Sequence, residues 1–147
     1  MKYSNIPFFR KVLFSCLVFA LIVTLSSCST IKASFLNSAV VPAAIGDVKV
    51  KKDANDNYSI KIEIENLADP QRLQPAKQAY LVWLEMDKST VKNIGQIKTS
   101  GSLLSSKLRA SFETVSAFKP IKIFITAEDD LNVQYPLGIV VLTTNNF

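Results

Sequence analysis

Side chains able to do chemistry are few in this 147-residue chain: two cysteines, Cys16 and Cys28, no histidine, 12 acidic and 17 basic residues, and scattered Ser, Thr and Tyr. Without histidine there is no Ser-His-Asp triad and no Cys-His pair, and the usual zinc sites lose half their ligand set. Four glycines leave little room for phosphate-cradling loops. An enzyme built here would work with carboxylates, lysines, tyrosines or serines. Asp53-x-Asn55-x-Asn57 places oxygens as at the start of a calcium loop, but Tyr58 stands where such a loop needs Gly and Ile64 where it needs Glu, so a hairpin turn accounts for it better. Glu128-Asp129-Asp130 reads as a solvated acidic turn that could hold a cation only weakly. Ser116-x-x-Lys119 has the spacing at which a helix start sets an amine beside a hydroxyl, but Pro120 and the flanking strand patterns make it a loop.

The cysteines belong to a different part of the argument. Lys2, Arg10 and Lys11 precede the apolar run Val12–Leu25, and the first acidic residue is Asp47. A basic front, an apolar middle and small residues behind it form the order of a secretory signal. As a helix at ~1.5 Å per residue the run spans about 21 Å, short of a ~30 Å hydrocarbon core. Residues 1–27 are therefore expected to be a cleaved signal peptide. Removing them leaves 120 residues, a single-domain length, and takes away Cys16 and three of the 17 Lys and Arg; 14 then stand against 12 acids, a net of +2. That balance gives no electrostatic footprint for nucleic acid.

Leu25-Ser26-Ser27-Cys28 closes the run and resembles the bacterial lipobox, an aliphatic residue and two small ones before a cysteine. The resemblance implies cleavage between Ser27 and Cys28, a diacylglyceryl thioether on the Cys28 sulfur and an acyl chain on the new amine. Each buried CH₂ contributes about 0.8 kcal/mol, so two or three chains hold a protein on a bilayer almost permanently. No other cofactor is expected. Ser29 stands where an inner-membrane retention signal would have Asp, so the expected location is the outer membrane, facing the periplasm.

Residues 28–45 are Ala/Ser-rich with a single Lys and are expected to form a lipidated tether, whose apolar end could instead join the domain as an edge strand. From Gly46 the period becomes two: Val48 and Val50 alternate with Lys49 and Lys51, and Tyr58, Ile60, Ile62 and Ile64 with Ser59, Lys61, Glu63 and Glu65, a hairpin around 53–57. Gln78–Met86, QAYLVWLEM, is a continuous apolar run and reads as a central strand. Asn93–Thr99, Leu108–Val115, Ile121–Ala127 and Leu137–Thr144 complete the set. About seven short strands at this spacing predict an all-β domain over 46–147: a single antiparallel β-sandwich, immunoglobulin-like, with a small barrel giving the same one-dimensional signal.

Tyr80, Trp83, Leu84, Gly95, Phe112, Thr126, Glu128, Pro136 and Gly138 fall in an order that resembles the C-terminal domain of anti-sigma-K factors. The resemblance implies a β-domain outside the cytoplasmic membrane. Only about eleven residues precede the apolar run, so no contact with a sigma factor is expected.

Trp83 and Tyr80 could stack on a sugar, but a central-strand Trp is more often core. Lys49, Lys51, Lys52 and Lys61 could meet anionic lipids or glycans, or simply keep strand edges from pairing between molecules. The weak candidates for an interaction surface are Lys49, Lys51, Lys61, Glu128, Asp129 and Asp130. The functional expectation is a non-enzymatic, membrane-anchored envelope module that binds a protein or glycan. The alternative is a small envelope hydrolase using carboxylate or Lys/Tyr groups.

Overall fold

The structure is a computed structural model that describes residue 11 and residues 30–87, 90–101 and 108–147. Ser27, Cys28 and the apolar run before them lie outside the described residues. No helix among the described residues is long and apolar enough to cross a membrane.

Among the described residues, nine strands form two antiparallel sheets. They are β1 (Thr30–Ser34), β2 (Ile45–Lys52), β3 (Tyr58–Glu65), β4 (Ala79–Asp87), β5 (Thr90–Ile97), β6 (Thr99–Gly101), β7 (Leu108–Ser116), β8 (Lys122–Glu128) and β9 (Ile139–Thr143). One sheet has the order β1-β2-β3-β7-β6 and the other β5-β4-β8-β9. The fold is a β-sandwich, and each of the seven expected strands is present. Alternation is what makes them: Val48 and Val50 on β2 and Ile60, Ile62 and Ile64 on β3 are buried, while their odd-numbered neighbours from Asp47 to Lys51 and Lys61 to Glu63 are exposed. Facing them across the sandwich lie Tyr80, Val82 and Leu84 of β4 and Ile123, Ile125 and Ala127 of β8.

The expected tether is the main correction. From Thr30 onward the chain is already in the sheet, with Thr30↔Lys51, Lys32↔Lys49 and Ser34↔Asp47 as register partners. Ile31, Ala33 and Phe35 are partly buried, and Val41 and Ala44 join the core. Residues 40–44 are not a strand; they turn the chain into β2, with the Ala44 N–H donating to Val41 O at 2.9 Å and Ser38 Oγ accepting from the Val41 N–H at 2.9 Å. Phe35 also forms a bridge with Thr144, and the Leu36 N–H donates to Thr143 O at 2.8 Å, which stitches the edge of one sheet to the edge of the other. The second addition is β6, which continues β5 into the opposite sheet.

Gly95 explains an irregularity in β5. Val82 pairs with Gly95 but Trp83 with Asn93, leaving Ile94 as a bulge. Gly95 has φ +142°, and a Cβ there would lie 2.7 Å from the Phe112 ring. Only glycine satisfies both conditions.

Tyr80 is 1% exposed and its hydroxyl donates to Ala68 O at 2.9 Å, tying the 66–78 connection to the core. Burial pushes its pKa from 10.0 up to about 12, with the Asp69 carboxylate acting in the same direction. The unfolded chain ionises this phenol first, so the Tyr80 contribution is whole below about pH 10 and declines by up to about 1.4 kcal/mol per pH unit toward pH 12. Tyr80→Phe, which loses the hydrogen bond, is expected to be about 1 kcal/mol less stable than the parent in urea near pH 8. That gap should close by about pH 11; a gap that stays constant overturns the assignment.

Candidate interaction surface

The strand pair β4–β8 is buried on both faces. Tyr80, Val82 and Leu84 serve the main core, while Leu81, Trp83 and Phe124 form a second cluster on the outer face of the four-stranded sheet, packed by Val91 and Val133. Trp83 is fully buried and stacks on its register partner Phe124, with ring centroids 6.4 Å apart and planes at 15°. The core reading of Trp83 and Tyr80 therefore holds, and neither offers a ring to a sugar.

A buried indole N–H needs an acceptor. Trp83 Nε1 donates to Thr126 Oγ1 at 2.7 Å, the same hydroxyl donates to Glu128 Oε1 at 2.6 Å, and Glu128 Oε1 also accepts from the Leu137 N–H at 3.2 Å. Thr126 and Glu128 follow Phe124 at intervals of two, so all three side chains share the outer face of β8. Glu128, expected in a solvated acidic turn with Asp129 and Asp130, is instead 2% exposed, because it ends this relay. Asp129 and Asp130 are exposed; Asp129 pairs with Lys77 Nζ at 2.6 Å, and Asp130 accepts from the Asn132 N–H at 2.9 Å. The acidic triplet is therefore split between a structural carboxylate and a turn.

The relay holds segment 129–138 against the outer face. Gly138 completes the seating: a Cβ there would stand 1.9 Å from Ala127 O, so only glycine lets β9 approach β8. Val133 points into the second cluster, and other side chains of the segment are left outward. Tyr135 is 72% and Leu137 80% exposed, with Leu131, Ile139 and Val140 also exposed. Five large apolar side chains within ten residues, on a braced segment leading into edge strand β9, form the strongest candidate binding surface among the described residues. No short motif announces it; the available signal is the apolar content of LNVQYPLGIV after an acidic turn.

Lys49, Lys51 and Lys61 sit on the outer face of the other sheet. Lys49 and Lys61 are register partners, and Glu63 bridges them at 3.5 and 3.0 Å. The Lys61 ammonium, with Lys49 beyond it, holds the Glu63 carboxyl below its usual range, and Glu63 raises Lys61 in return. An open groove of about 770 Å³ adjoins, lined by Asp47, Glu63, Glu65 and Arg109 among others. Asp47 and Glu63 are directly opposite in register, and Asp47 accepts from Ser34 Oγ at 2.7 Å. Opposed carboxylates suit acid–base chemistry only when one is pushed upward, and Glu63 is pushed down.

The other local patterns are turns. Asp53 Oδ1 accepts from the Asn55 and Asn57 N–H groups at 2.8 and 2.9 Å, bonds that lower its pKa, the Asn57 bond most. Ser116 Oγ accepts from the Phe118 N–H at 3.0 Å and donates to Phe118 O at 3.1 Å, a local turn in place of a nucleophile poised beside Lys119. Among the described residues no three His, Cys, Asp or Glu side chains come together as a metal site.

Thr126→Val removes the indole's acceptor without changing size. It is expected to cost about 2–3 kcal/mol in urea unfolding and to speed hydrogen exchange across 129–138, with Thr126→Ser recovering most of both. Leu137→Ser should stay within about 0.5 kcal/mol of the parent, since that side chain is 80% exposed; a large loss would mean that it is buried.

No protein-family model, no curated protein and no solved structure matches this chain.

Proposed function

We propose that this protein is a lipid-anchored, non-enzymatic binding module of the bacterial envelope, which presents the 131–140 segment to a partner protein. The exposed apolar row Leu131, Tyr135, Leu137, Ile139 and Val140 carries this reading. A soluble domain keeps such side chains outward at a cost in solubility, and here a buried relay braces the segment that bears them. The lipobox supports the anchor on Cys28, and Ser29 supports the outer membrane facing the periplasm.

The geometry also fits such an arrangement. β8 runs from the end of the sandwich where β1 begins to the end where segment 129–138 lies. At ~3.3 Å per residue the eight-residue β3 separates those ends by roughly 25 Å, so an anchor at Cys28 leaves the apolar segment turned away from the bilayer. We read the arrangement as immunoglobulin-like: β2-β3-β7-β6 against β5-β4-β8-β9 supports this, with β1 as an added edge.

Cys28→Ala is expected to abolish acylation and leave unprocessed precursor, seen as loss of lipid labelling and a slower band; normal processing with release of soluble protein overturns the anchor. A photocrosslinking residue in place of Tyr135 should give a discrete adduct in living cells that Leu137→Asp removes, while the same probe in place of Glu113 should give none. Equal patterns from both positions, or an adduct indifferent to Leu137→Asp, would sink the assignment of this surface.

A further inference from the structure

We propose that the outer face of β1, β2 and β3 next to Thr30 rests on anionic phospholipid head groups, through Lys32, Lys49, Lys51 and Lys61. The inference rests on the reading that Cys28 is acylated. If it is, no tether intervenes: Thr30 is the first residue of β1, and two residues of extended chain place it at most about 7 Å from Cys28. That is within a Debye length of about 8–10 Å at ordinary ionic strength, so the Thr30 corner lies in the field of the head groups.

The register shows what that corner carries. Lys51 is the partner of Thr30 and stands level with it. The next outward row, about 6.6 Å farther along the strands, reads Lys32, Lys49, Lys61, three lysines on adjacent strands as direct neighbours, followed by Glu113 on β7. The row beyond reads Ser34, Asp47, Glu63, Ser111, and then Ile45, Glu65 and Arg109. The face is thus cationic near the anchor and predominantly acidic away from it. Like charges directly opposite in a sheet oppose folding, and Glu63 relieves only Lys49 and Lys61. Lys32 and Lys51 make no ion pair with the described residues. An anionic surface would compensate the row and repel the acidic rows above it, so the domain would sit with its lysine corner down and the 131–140 segment raised.

The test uses the full acylated protein, reconstituted into vesicles of phosphatidylcholine alone or with phosphatidylglycerol at about one lipid in three, and labels lysines with an amine-reactive acetylating reagent read by mass spectrometry. With anionic lipid, Lys32, Lys49, Lys51 and Lys61 should label roughly fivefold more slowly, while Lys77, at the far end, keeps its rate. High salt should restore labelling, and Lys49→Glu with Lys51→Glu should abolish the effect at Lys32 and Lys61. Equal labelling in both vesicles overturns the proposed orientation and leaves the anchor standing. An unmodified Cys28 in the same mass spectra overturns the anchor, and this proposal with it.

Discussion

The β4–β8 pair is buried from both sides, and much of the molecule follows from that constraint. One side faces the opposite sheet, where Ile60, Ile62 and Ile64 meet Tyr80, Val82 and Leu84. The other side would leave Trp83, Leu81 and Phe124 in water, and among the described residues no third layer of strands or helices covers them. Segment 129–138 does this, with Val133 as its inward contact. Covering a tryptophan creates a second demand, since the indole N–H leaves water and needs an acceptor. Thr126 supplies it, Glu128 accepts from Thr126, and the backbone of Leu137 donates to Glu128. The segment is therefore pinned by the same network that its cover makes necessary.

A covering segment in extended or turning backbone cannot turn every side chain inward. With Val133 committed to the cluster, Tyr135 and Leu137 stand outward. The apolar surface is in that sense a geometric consequence of the cover, but the identity of those residues is not. Polar side chains would stand there without disturbing the relay, whose contact with Leu137 is through its backbone. Large apolar groups at positions free to be polar are what makes this segment the candidate for recognition.

Legibility in the sequence divides along the same physical line. Strands with one wet face showed themselves by alternation, and QAYLVWLEM, wet on neither side, showed itself as an unbroken apolar run. β1 was obscured although Ile31, Ala33 and Phe35 alternate with Thr30, Lys32 and Ser34, because small residues around it read as a linker and its pairing with β2 is a long-range fact. Glu128 was misplaced for the opposite reason: two acidic neighbours made it look solvated, and only the register of β8 puts it in line with Thr126 under a tryptophan. Trp83, Thr126, Glu128 and Gly138 build the relay and its seating, while Gly95 and Phe112 share the bulge contact. These residues hold shape, which only the register and the ring contacts make visible.

Several of the carboxylates in this fold are engaged in holding its shape. A general acid needs a carboxyl raised toward neutrality in a place a substrate can reach. Glu128 is buried and occupied by two donors, Asp53 is held low while closing a hairpin turn, and Glu63 is held low between two lysines on an open face. Each of these carboxylates is engaged in keeping backbone or like charges in place. Two further surfaces among the described residues lie beside them, an apolar segment at one end of the sandwich and a row of lysines toward the other. Surfaces of these two kinds suit recognition by burial and by charge.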